Sequence, residues 1–197
     1  MADEGLADFA IKHALKLGAT YAEARYERSS SNGISMKNGV PQLAGFEDVE
    51  GLGVRLIYHG ALQQLSTDWM DKPHVEKLIE DGVRSASANA RLTSGPVLFS
   101  SERKQRAKYE VKEKRKIANV GIEEKFGMVL EVEKALSKCK PSVPTRFLSL
   151  GDDVTRKYYV NSDGCSIRSA IPRVGFHYVI TVKSGDKTRQ RHFQWDQ

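Results

Sequence analysis

Residues 50–68 read EGLGVRLIYHGALQQLSTD. Gly51 to Tyr58 is a mostly apolar run of strand length, Gly60 is a turn signal, and Ala61 to Thr67 resumes as a second run. The pattern is that of an antiparallel hairpin whose first strand, the most apolar in the chain, is expected inside a sheet. Upstream, YAEARYER, NGISMKNG and PQLAGFED read as further strands, with Asn32-Gly33 and Asn38-Gly39 as turns. Together they predict an antiparallel meander.

Three helices are expected around it. Residues 4 to 17 place Leu6, Ala10, Ala14 and Leu17 on one face, with Phe9 and His13 beside it, and Gly18 supplies a stop. Asp71 followed by Pro73 is a helix-start signal, and Val75, Leu78, Ile79, Val83, Ala86 and Ala90 then recur at helical spacing. After Ser94-Gly95-Pro96 come a charged strand near Ala107 to Lys114 and a third helix from Gly121 to Cys139, its core face Ile122, Phe126, Val129, Leu130 and Leu136. A second strand block follows: RFLSLGD, TRKYYVNS, CSIRSAI, RVGFHYVITVKS and KTRQRHFQW, with hairpin signals at Ser162-Asp163-Gly164 and Ser184-Gly185-Asp186.

Gly39, Val54 and Gly60 are answered at constant offset by Gly164, Val179 and Gly185. The expected class is therefore α+β: antiparallel meanders packed with about three helices, arranged as two similar subdomains over 1–95 and 96–197. The second is expected to be incomplete, because His192-Phe193-Gln194-Trp195 reads as an aromatic strand in need of a partner.

The composition narrows function. The chain has 197 residues and a formal net charge of +6, enough length for a core and a charge that raises nucleic acid as an acidic partner. Basic residues cluster at 103–116 and at Lys183, Lys187, Arg189 and Arg191, but apolar residues interrupt both stretches at strand spacing, which suits the wet face of half-buried elements. A basic nucleic-acid-binding module, with Tyr178, Phe193 and Trp195 stacking beside Lys187, Arg189 and Arg191, is kept as an alternative. No run reaches the roughly 18 apolar residues of a membrane span, and the opening stretch lacks a signal-peptide core. The two cysteines, Cys139 and Cys165, are isolated, as a reducing compartment permits, so a cytoplasmic location is expected.

Local chemistry is sparse. His13, His59, His74, His177 and His192 show no HxH, HxxxH or HExxH spacing, so no metal site and no catalytic residue are predicted. His177 and His192 could face each other across the last hairpin. Cys165 reads as buried and inert. Gly51-Leu52-Gly53 opens a strand and is not a phosphate loop.

Several stretches together resemble the TldD/PmbA family, also called modulators of DNA gyrase: KLGATYAEARYE, then SNGISMKNG and EGLGVRLIYHGALQQLSTD, then Tyr159-Val160-Asn161-Ser162-Asp163-Gly164, with Asp where the family's NSEG-type hairpin has Glu. The resemblance implies the N-terminal half of a zinc metallopeptidase involved in proteolysis or peptide maturation. Zinc is expected in the family's C-terminal domain, not in this chain, which is expected to be inactive alone. Arg55, Ser66, Thr67, Asn161, Ser162, Asp163 and Gly164 fall at family-like positions and are the candidate cleft-lining, substrate-binding residues. The implied partners are an extended peptide and the C-terminal domain or a full-length subunit, as a dimer; a stand-alone pseudo-subunit regulating a complete peptidase is a further alternative.

Overall fold

The computed structural model describes residues 4–92, 95–100 and 103–196, so Ser94 of the expected Ser94-Gly95-Pro96 connection lies outside the described residues. Among the described residues are helices α1 (Glu4–Lys16), α2 (Lys72–Ala90) and α3 (Ile122–Ser137). The strands are β1 (Tyr21–Lys37), β2 (Val40–Tyr58), β3 (Ala61–Thr67), β4 (Arg106–Glu110), β5 (Ser142–Asn161), β6 (Ser166–Ser184) and β7 (Lys187–Asp196). The class is α+β, as expected. The strands form one sheet in the order β3-β2-β1-β5-β6-β4, with β7 also paired to β6. None of the described helices is long and apolar enough to cross a membrane.

Strand continuity differs from the expectation. YAEARYER and NGISMKNG are one strand, β1, and the other split segments merge in the same way into β2, β5 and β6. Asn32-Gly33 is therefore not a turn. The turns fall where both central residues adopt positive φ, at Asn38 (51°) and Gly39 (81°) and again at His59 (47°) and Gly60 (78°), the geometry that matches strand twist. Gly164 and Gly185 also have positive φ, and the long, long, short succession of β1-β2-β3 returns in β5-β6-β7.

Three placements correct the sequence reading. β7 is not unpaired: it runs antiparallel to β6 from Ser184↔Lys187 to Gly175↔Asp196. Within that register His177 lies opposite Gln194 and His192 opposite Val179, so the two histidines do not face each other. β4 is parallel to β6, an exception to the antiparallel meander, and the intervening α3 and β5 provide the long connection that parallel pairing requires.

The chain packs into two compact units: Met1–Arg28, Val49–Glu110 and Thr155–Ala170 form the first, and Ser29–Asp48, Val111–Val154 and Ile171–Gln197 the second. Each unit collects segments from both sides of residue 95, because β1, β2, β5 and β6 are long enough to contribute to both.

In the first unit α1 and α2 cover one sheet face. Ala7, Ala10, Ile11 and Ala14 of α1 and Val75, Ile79, Val83 and Ala86 of α2 pack with Ala22 and Ala24 of β1 and Leu52, Val54 and Leu56 of β2. The buried face of α1 is rotated from the expected one, leaving Leu6 and Leu17 only partly buried, because small alanines let the helix approach closely. The Asp71 side chain caps α2 by accepting from the His74 backbone N–H at 3.0 Å, a bond worth about 1 kcal/mol.

The second unit has a small core of Ile34, Met36, Val129 and Leu148. Of the expected α3 face, Val129 is in this core and Phe126, Leu130 and Leu136 pack partly buried against it, but Ile122 is exposed and the other fully buried positions of the helix are Lys125 and Glu133. The cause is on β5. Lys125 Nζ lies 2.8 Å from Asp152 Oδ2, and Arg146 Nη2 lies 2.7 Å from Glu133 Oε1. Asn32 Nδ2 also donates to Asp152, at 3.3 Å.

Removing one partner of such a pair leaves a buried charge alone. Lys125→Ala is expected to cost about 3–5 kcal/mol, whereas Lys125→Met with Asp152→Leu should cost well under the sum of the single changes. Urea unfolding of the three variants measures both.

Candidate functional site

Side chains alternate across a strand, so a face that is apolar toward helices leaves its neighbours on the other face. On β1 this puts Tyr21, Glu23, Arg25 and Glu27 opposite the helix-packed Ala22 and Ala24. On β2 and β3, Arg55 is registered with Gln64 and Gly53 with Ser66. Glu23, Arg25 and Glu27 of β1, these β2 and β3 residues and Tyr159 of β5 line a groove of about 810 Å³ in the first unit. Gly51 and Gly53 carry no side chain into it.

Glu23 organises this face. It is only 8% exposed. Its Oε2 accepts from the Tyr21 hydroxyl at 2.7 Å and from the Tyr159 hydroxyl at 2.9 Å. Its Oε1 accepts from Arg55 Nε and forms an ion pair with Arg55 Nη2. The Arg55 guanidinium lies 5.2 Å from the Phe99 ring centroid, and Tyr21 meets the same ring edge-on at 5.1 Å.

Burial raises the Glu23 pKa, but the hydrogen bonds from Tyr21, Tyr159 and Arg55 and the Arg55 charge outweigh it and hold the carboxyl below its ordinary value. Burial, together with donation to Glu23, raises both tyrosine hydroxyls. Glu23 is thus a fixed carboxylate with committed donors, suited to positioning rather than proton transfer.

The sequence-predicted residues divide between places. Arg55 and Ser66 line the groove. Thr67 borders it, but its hydroxyl accepts from the Trp69 backbone N–H at 3.0 Å and lies 3.1 Å from His74 Nε2, which ties it to the start of α2. Asn161 Oδ1 accepts from the Cys165 backbone N–H at 2.9 Å, and its Nδ2 lies 3.4 Å from the Tyr159 hydroxyl, so it braces the network from behind. Ser162 docks on β1, its N–H donating to the Ala22 carbonyl at 2.8 Å and its Oγ accepting from the Ala22 N–H at 3.2 Å. With Asp163 it lines a second groove of about 760 Å³ beside Tyr21, Phe99 and Lys104. Gly164 holds the turn at φ 98°. Cys165 is free and buried.

Tyr21, Glu23 and Tyr159 fall within the family-like stretches of sequence but were not among the candidate site residues. The available signal was the polar set at 21, 23, 25 and 27, interleaved with the alanines at 22 and 24.

The architecture defines an α+β module that longer proteins also contain. TldE from Thermococcus kodakarensis superposes with a TM-score of 0.76 at 17% identity, covering 100% of this chain and 43% of that one. A candidate modulator of DNA gyrase from Bacteroides thetaiotaomicron gives 0.75 at 19% identity, with 98% and 44% coverage. In sequence, residues 22–90 match the PmbA/TldA metallopeptidase domain 1 and residues 115–197 the PmbA/TldA metallopeptidase central domain. The chain therefore belongs to the TldD/PmbA family of metallopeptidases. It is 24% identical over 178 residues to a zinc metalloprotease TldD homolog from Saccharolobus solfataricus, spanning 90% of this chain and 37% of that protein. It thus covers less than half the length of these relatives.

The depressed Glu23 pKa makes a pH prediction. A carboxyl held below its unfolded value stabilises the fold above that value, about 4.3, and the contribution is lost as pH falls through the folded pKa. The stability difference between the wild type and Glu23→Gln should be full above about pH 5 and shrink steadily toward about pH 3, as measured by urea unfolding across that range.

Proposed function

We propose that this chain supplies the substrate groove and scaffold of a TldD/PmbA-type zinc metallopeptidase, acting in proteolysis or peptide maturation. An extended peptide lies along the polar face of the first unit. The carrying observation is that this groove is bordered by β3, the terminal strand of the sheet order, which pairs with β2 along one edge. The other edge of such a strand offers backbone donors and acceptors at strand spacing, the means by which a peptide adds to a sheet. Arg25 and Arg55 beside Glu23 and Glu27 give the groove both signs of charge for peptide side chains or termini.

Zinc is the metal named for the Saccharolobus relative. The groove does not suit it: its lining includes no histidine or cysteine, and both Glu23 oxygens are already bonded to Tyr21, Tyr159 and Arg55. In this reading the hydrolytic zinc belongs to the family's C-terminal domain. The partner is that domain or a full-length family subunit, the complete protein is a dimer, and the compartment is the cytoplasm.

The nucleic-acid alternative draws on β7, where Lys187, Arg189, Arg191, Phe193 and Trp195 share a face by alternation. Tyr178, registered opposite Phe193 and stacked on it at 5.5 Å, also packs against the core of the second unit. Packing accounts for Tyr178, while Phe193 and Trp195 are exposed, so the stacking surface lacks its third aromatic and the peptide reading is preferred.

Titration of the chain with labelled unstructured peptides tests the proposal. Expected are slowed amide exchange in β3, a loss of affinity of about tenfold on Arg55→Ala, roughly 1.4 kcal/mol, and cleavage only after a full-length family subunit is added. Cleavage by the chain stripped of metal, or binding that leaves β3 exchange unchanged, would overturn it.

A further inference from the structure

On the helix-covered side of the first unit, one imidazole nitrogen has no hydrogen-bond partner among the described residues. His13 of α1 is 9% exposed, its ring stacks on Phe9 with centroids 5.5 Å apart, and its buried Nε2 makes no hydrogen bond. Such a nitrogen has lost water without replacement, which is unfavourable unless something else takes its lone pair. It points toward α2. Glu80 Oε1 lies 3.8 Å away, and Glu76 stands one helical turn earlier on the same face. The neighbouring cations of α2, Lys77 and Arg84, pair with Asp81 instead.

The donor atoms of His13, Glu76 and Glu80 all lie within 4.8 Å of one another. We propose that these three residues form a binding site for a divalent transition cation of the Zn²⁺ class, joining α1 to α2. The donor set suits that class, since imidazole favours such ions over Mg²⁺ or Ca²⁺ and two carboxylates supply compensating charge. Donors about 2.1 Å from a tetrahedral ion stand about 3.4 Å apart. Packing fixes His13, whereas Glu76 and Glu80 are exposed and reach the remaining distance by changing rotamer. A fourth position stays open to solvent water. The ion would have a structural effect, stabilising the helix pair that covers the sheet.

The test uses the full chain, stripped with chelator and titrated with ZnCl₂, or with CoCl₂ for its visible absorption. Expected are saturable binding of one ion per chain, a rise in Tm on addition, and loss of the site in His13→Gln. Because His13 is buried, the exposed substitutions Glu76→Gln and Glu80→Gln provide the decisive arm. Each should retain the unliganded Tm and weaken binding by more than the roughly 10–100-fold that loss of an outer-shell partner costs. His74→Gln should bind as the wild type does. Absence of saturable Zn²⁺ or Co²⁺ binding would overturn the proposal and leave a simple His13–Glu80 pair, as would unchanged affinity in both glutamate variants.

Discussion

Strand β1 must satisfy two environments at a spacing of one residue. Ala22 and Ala24 pack among the helices, so Glu23 between them is held on the opposite face with almost no access to water. A carboxylate in that position persists only if its oxygens are fully hydrogen-bonded, and Tyr21, Tyr159 and Arg55 meet that requirement from three strands. The groove inherits its geometry from this constraint. Arg55 is oriented by Glu23 and backed by Phe99, so the charge it presents to the groove is held in place.

The second unit answers a different shortage. Its fully buried apolar core is small, and two of the three fully buried positions of α3 are charged. Lys125 with Asp152 and Arg146 with Glu133 are geometrically specific, since Arg146 also donates from its backbone to Asn38 Oδ1 at 2.8 Å, beside the turn that starts β2. Buried pairs of this kind are weak evidence for stability, and register is the better-attested role. The two pairs tie α3 to β5 at two points on one helical face.

Much of the fold was legible because its signals are local. The Asp71 cap, the glycine turns at 39, 60, 164 and 185, and the hairpin of residues 51–67 each depend on the backbone preference of a few adjacent residues. Long-range features were hidden for an equally physical reason. Asn32-Gly33 has turn composition yet lies inside a 17-residue strand, where Asn32 donates to Asp152, 120 positions away. Hydrophobic periodicity ranked Ile122 above Lys125, because it cannot know that an aspartate waits on β5. Family-like spacing drew attention to Arg55 and Ser66, which line the groove, but not to Glu23. The donors of His13, Glu76 and Glu80 come from two helices, so a search for ligands at one helical spacing does not reach them.

Membership of the TldD/PmbA family gives this arrangement its context, and Glu23 provides the sharpest check on it. A carboxyl-carbon NMR titration of the folded chain reads that one group directly. The account predicts a midpoint below the usual glutamate value of about 4.3, moving upward when Arg55 is changed to alanine. A midpoint at or above that value in the wild type, or one indifferent to Arg55, would contradict it.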